Sequence, residues 1–198
     1  MMFDLYDYSQ GKRIYHKSEL GEFILSSDAI THTYSCTRLK KMQEIIDVVP
    51  KEHLERFYEL ACTIGSYCVF PAKKVDNKNT INQARGMNVL IKDRFDLTLE
   101  CIRRYYKNEE SPLYQDLKRY NEFFMLFADF KGYCDFFLLQ DLVSGDYSQV
   151  NFYLPFDDFK RNPLPIDKDE YMIYSNKTIE FIEKRNARIK IYSQNKRM

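Results

Sequence analysis

From Asp93 to Phe127 the chain twice sets large apolar side chains at helical spacing, and this stretch constrains the fold more than any other. Phe95, Leu99, Ile102 and Tyr106 recur at intervals of four, three and four. They therefore share one side of a helix from Asp93 to Tyr106, with Asp93, Glu100 and Arg104 on the other. Ser111-Pro112 then provides a cap residue followed by proline at the first helical position. Leu113, Leu117, Tyr120, Phe124 and Phe127 continue the stripe on a second helix. Gly132 separates that helix from Tyr133 to Val143, whose run CDFFLLQDLV is apolar nearly all round and reads as the buried centre. The 15 Phe and 16 Tyr, with no Trp, make this an aromatic core in which many tyrosines keep a hydroxyl at its margin.

Elsewhere the pattern shortens. Glu22 to Leu25, Gly65 to Phe70 closed by Pro71, and the alternating Val150 to Leu154 read as short strands. The polar stretch AKKVDNKN reads as a loop. Thr80 caps a short helix through Arg85, with Gly86 either inside it or ending it. Lys51 to Ala61 forms a helix with Leu54, Phe57, Tyr58 and Ala61 on one side, and a last helix runs from about Asp167 to Tyr192. The expected fold class is α+β: a mostly helical single domain over residues 1–198, with a small sheet of short strands near 22–25, 65–70 and 150–154. A basic tail follows from about residue 193.

Thirty basic residues against twenty-nine acidic ones give a net charge of +1, so no overall positive field draws the chain to nucleic acid or an anionic membrane. The apolar runs are too short to cross a bilayer, and MMFDLYDYSQ carries acids where a secretory signal would be apolar. A cytoplasmic location with no membrane contact is the expectation. Five cysteines, Cys36, Cys62, Cys68, Cys101 and Cys134, show neither a CxxC pair nor regular spacing, which suits reduced thiols packed as small hydrophobes.

The segments YHKSELGEF, SDAITHTY, TIGSYCVFP, TINQARG, DRFDLTLECIRRYY, FKGYCDFFLLQDLV and FYLPFDDF together resemble a family of uncharacterised bacterial cytosolic proteins. The similarity spans about Tyr15 to Ile189. It implies a bacterial, cytoplasmic origin and carries no activity, cofactor or site residue, so function has to be argued from chemistry.

The richest polar stretch, TINQARG followed by DRFDLTLECIRR, gathers Asn82, Gln83, Arg85, Asp93, Arg94, Asp96 and Glu100 on two adjoining helical segments. If N–H groups of the Thr80-capped helix face a cleft, a phosphate, carboxylate or nucleotide could bind there, with Arg85 as a forked donor. The plain alternative is that Arg85 and Arg94 pair with neighbouring carboxylates and pin the two helices together. The two-glycine GK[ST] spacing of a phosphate loop is missing. Asp93 and Glu100 lie about 20° apart around a helix and could hold Mg²⁺ with Asp96. Arg103 and Arg104, however, stand at ion-pair spacing from Glu100, and no metal site is assigned.

His16, His32 and His53 fit no HxH or HExxH pattern, and Ser26 and Ser27 lack a GxSxG elbow. Lys184, Arg185, Arg188, Lys190, Lys196 and Arg197 surround Tyr192, a combination that could track a phosphate backbone but that also suits a helix C-terminus. Three function classes follow: a protein that binds an anionic small molecule or nucleotide around Asn82, Arg85, Asp93 and Arg94; a non-enzymatic protein-interaction protein; and a nucleic-acid-associated protein using the basic C-terminal helix. The sequence does not separate a binder from an enzyme.

Overall fold

The computed structural model describes residues 4–8, 11–30 and 40–195. His32, Cys36, Lys196 and Arg197 lie outside the described residues.

The chain opens with an antiparallel sheet of order β1-β2-β3-β4: β1 (Asp4–Tyr8), β2 (Gly11–Ser18), β3 (Gly21–Ala29) and β4 (Tyr67–Pro71). The strand expected at 22–25 is thus the middle of a longer hairpin. Its turn closes at Gly21, whose φ of +140° lies in a region that side chains with a Cβ rarely adopt. β3 pairs with β4 in the register Leu25 opposite Pro71 and Asp28 opposite Cys68.

Eight α-helices complete the described residues: α1 (Lys40–Ile46), α2 (Lys51–Ala61), α3 (Ile81–Met87), α4 (Phe95–Tyr106), α5 (Tyr114–Lys118), α6 (Asn121–Met125), α7 (Phe130–Phe136) and α8 (Lys168–Asn195). α3 begins with a full capping box, in which Thr80 and Gln83 satisfy each other's backbone N–H groups. Gly86 sits inside this helix. The mostly helical α+β class holds.

Leu25, Phe70, Phe95, Leu99, Ile102, Leu117, Phe124, Phe127, Tyr133 and Ile182 are buried in one core between sheet and helices. A second, smaller cluster joins Met42, Ile45, Ile46 and Val49 to Leu164, in the chain before α8, and to Tyr171 of α8. At 28 residues, about 42 Å, α8 is the spine against which α2 and the 3-10 turn Ile64–Ser66 pack.

Three expectations about elements need correction. The stripe from Leu113 to Phe127 is buried as read, but it is split into α5 and α6 at Arg119 and Tyr120. Tyr120 leaves helical geometry (φ −111°, ψ 31°), and its hydroxyl donates to the Lys73 carbonyl. A tertiary bond has overridden local periodicity. Gly132 does not separate helices; it lies within α7, where the Asp129 carboxylate caps its N–H at 2.7 Å. A Cβ there would stand 2.0 Å from the Phe127 carbonyl oxygen, so glycine answers a close approach.

Nor is Val150 to Leu154 a strand, for only Val150 bridges, to Val143. The Tyr153 N–H, which a strand would pair with a neighbour, donates instead to the Asp96 carboxylate.

Candidate functional site

The seven polar residues singled out between Asn82 and Glu100 do not converge on one point. Gln83 is spent on the capping box of α3. Asn82 donates to Ser26 of β3 at 3.0 Å, while Arg85, fully buried, meets Asp93. Its Nη1 donates to Asp28 of β3 at 2.8 Å, its Nε to Thr98 of α4 at 3.0 Å, and Phe70 and Phe95 lie 5.6 and 5.7 Å from the guanidinium. Its Nη2 approaches Asp93 Oδ1 at 3.2 Å without the alignment of a hydrogen bond, so that buried oxygen accepts none.

One guanidinium thus ties β3, α3 and α4 together. Asp93 does not belong to α4, as the spacing suggested: it sits just before that helix at φ +63°, following Lys92 at φ +42°. That left-handed pair turns the carboxylate back toward Arg85. Burial raises the pKa of Asp93 to about 6 against the pull of Arg85, and burial raises Asp28 in the same way.

Arg94 and Asp96 form a second, separate knot. Asp96 is fully buried and receives Arg94 Nε at 3.0 Å, Arg94 Nη2, and the Tyr153 N–H at 2.9 Å, while Arg94 Nη1 donates to the Pro163 carbonyl at 2.9 Å. This pair stitches the start of α4 to the irregular chain between residues 150 and 163. Glu100 forms a third knot, accepting from Arg103 Nε at 2.7 Å and Arg104 Nε at 2.8 Å. Arg104 continues to Asp158 at 2.6 Å. Asp93, Asp96 and Glu100, which helical spacing put side by side for a cation, therefore answer to three different sets of arginines.

The basic stretch of α8 is spent in a similar way. Arg185 is buried and donates to the carbonyls of Phe137, Gly65 and Tyr67 at 2.9, 2.9 and 2.7 Å. Burial lowers its pKa, and among the described residues no carboxylate stands within ion-pair distance. Arg188 grips Asp141, and Lys184 pairs with Glu180 at 2.5 Å. Lys190, like Arg185, makes no ion pair among the described residues, but unlike Arg185 it is not buried.

The described histidines and the buried cysteines are similarly committed. His53 meets Ser175 Oγ at 2.7 Å, and burial lowers its pKa. His16 stacks on Phe23. Cys62, Cys68, Cys101 and Cys134 are free thiols, and burial pushes Cys68 and Cys101 up to about 11 and about 12, far from the thiolate form.

Among the described residues, none of the seven lines either of two open cavities. The smaller, about 190 Å³, lies beside α8 with its charges spoken for: Lys177 donates to the Phe152 carbonyl at 3.0 Å, Lys184 holds Glu180 and Arg188 holds Asp141. The larger, about 340 Å³, lies between the ends of β3 and β4 and the α5 to α6 corner. Its floor is Phe23, Tyr120 and Phe123, with Ile24, Pro71 and Val75, and its charged groups are Lys73, Lys74, Arg119, Glu22 and Glu122.

Arg119 and Tyr120 at the helix break build this wall. Tyr120 holds the loop after β4 through Lys73, and Arg119 Nη2 reaches the Asn79 carbonyl at 3.5 Å while pairing with Asp116. Arg119 Nε is buried without a hydrogen-bond partner. Sequence reasoning took AKKVDNKN for a loop and passed over its paired lysines. The missed signal was Lys73-Lys74 directly after a proline-closed strand, because such a pair leaves the sheet at a fixed point.

No curated protein and no solved structure matches the chain. Residues 1–189 match the model of DUF6994, a family of unknown function, and the chain belongs to that family.

Proposed function

We propose that this is a bacterial cytosolic protein that binds an anionic small molecule, and that its site is the 340 Å³ cleft beneath the 72–79 loop. The observation that carries the reading is the pair Lys73 and Lys74. Both are exposed, both line the cleft, and neither has an ion pair among the described residues. Cations gathered at an aromatic-floored concavity and left uncompensated are the arrangement an anion completes. The anion expected from sequence at Arg85 and Arg94 finds less support there, because any anion would stand beside Asp28, Asp93 or Asp96. In those places the geometry favours pinning of helices.

Calorimetric titration with inorganic phosphate, nucleoside monophosphates and dicarboxylates tests the reading. Binding should appear with at least one of these classes and fall about ten-fold or more in Lys73→Ala/Lys74→Ala. Lys190→Ala should leave it unchanged. Binding that survives the double substitution, or no heat and no melting shift with any of the anions, removes the proposal.

Protein docking, the second reading, is favoured by one observation. Met87, Val89 and Leu90 form a short apolar run, 69%, 65% and 43% exposed, at the end of α3. Concentration-dependent sedimentation of the protein and of Met87→Ser/Val89→Ser separates it from ligand binding.

A further inference from the structure

We propose that the ligand of the larger cleft is amphoteric: an anionic group and a protonated amine joined by a flat apolar body. This rests on the ligand-binding reading of that cleft and deepens it. Besides Lys73 and Lys74, one acidic side chain in the cavity wall, Glu122, is exposed and makes no ion pair among the described residues. The other acid, Glu22, is engaged by Lys17 at 2.6 Å. Arg119 is held by Asp116, and its partnerless Nε adds an N–H donor at the wall.

One cavity therefore presents two unmatched cations and one unmatched carboxylate. They have not neutralised each other although they share a wall. A simple anion would satisfy the lysines but bring a negative charge toward Glu122, where like charges repel. A ligand that also carries an ammonium turns that repulsion into attraction. Glu122 is placed against the β2 to β3 turn, its Oε2 3.5 Å from where a Cβ on Gly21 would stand.

Between the charges lies the aromatic floor. Phe23 is half-buried and sits edge-on to Phe123, with centroids 5.9 Å apart. That surface favours a planar ring. The volume is near the lower end of the ordinary range for ligand sites, about 300 to 1,000 Å³, which suits one ring with two short polar arms.

The test uses three probes in calorimetry at low ionic strength: O-phosphotyramine, 4-ethylphenyl phosphate and inorganic phosphate. O-phosphotyramine should bind tightest, about five-fold better than 4-ethylphenyl phosphate, the size of one favourable exposed ion pair. Glu122→Gln should erase that five-fold difference by weakening O-phosphotyramine, while 4-ethylphenyl phosphate, relieved of the repulsion, binds at least as tightly as to the wild type. Equal binding of the two aryl phosphates to the wild type, or equal weakening of both in Glu122→Gln, overturns the amphoteric assignment while anion binding stands. Failure of all three probes overturns the amphoteric assignment, and the anion reading falls with it when the nucleoside monophosphates and dicarboxylates fail as well.

Discussion

Removing the charge of Asp96 tests whether the sequence's densest polar stretch is a set of structural knots. Asp96→Asn keeps shape and volume but leaves the Arg94 guanidinium, 2% exposed, with no counter-ion and only the Pro163 carbonyl as a strong acceptor. Breaking a buried pair from one side costs about 3 to 5 kcal/mol, because the remaining charge stays desolvated. For a chain of this size each kcal/mol lowers the melting temperature by roughly 2 to 4 °C, so a fall of about 6 to 20 °C is expected. Urea unfolding followed by circular dichroism measures the loss directly. Arg94→Met should cost a similar amount. The double variant Arg94→Met/Asp96→Asn leaves no buried charge, so it should cost less than the sum of the singles by about 2 kcal/mol or more. A loss below about 1 kcal/mol for Asp96→Asn, or strict additivity in the double, would falsify the pinning argument.

Three further outcomes are expected. Burial raises the Asp93 pKa to about 6 from 3.8. Its contribution to stability is therefore full below about pH 4 and lost as pH rises through 6, by about 3 kcal/mol at most. Wild type minus Asp93→Asn stability should show that decline between pH 4 and 7.5, and a flat difference across the window would remove the assignment. Gly86→Ala should stabilise by about 0.5 to 1 kcal/mol in denaturant titration, since Gly86 is exposed within α3 and a Cβ there meets nothing within 4 Å. Gly65→Ala should destabilise by about 1 to 3 kcal/mol, because a Cβ there would lie 2.8 Å from the Ile182 carbonyl oxygen and 2.7 Å from Asn186 Oδ1. A neutral Gly65→Ala would mean that α8 and the 3-10 turn are not seated as described.

What the sequence made legible was what local physics decides. The apolar spacing of Phe95 to Tyr106 and the cap at Thr80 gave α4 and α3 to within two residues, because neither depends on distant partners. Two of the three misread elements involve a bond to somewhere far along the chain, and the third, at Gly132, turns on a close approach to the Phe127 carbonyl. Tyr120 breaks the helix where its hydroxyl meets Lys73, and Tyr153 leaves strand geometry where its N–H meets Asp96.

The site divides along the same line. Residue types at 82–100 announced a polar cluster, but whether arginines meet a ligand or carboxylates depends on Asp28, 57 residues before Arg85, and on the left-handed backbone of Lys92 and Asp93. No helical periodicity reports either. Lys73 and Lys74 were easy to overlook for the opposite reason: alone they are two surface lysines. They become a candidate site only once the break at Arg119 and Tyr120 sets the wall of the cleft opposite them. A polar run rich in both signs tends to satisfy itself, so the residues to examine for a ligand are those whose charge the fold leaves unanswered.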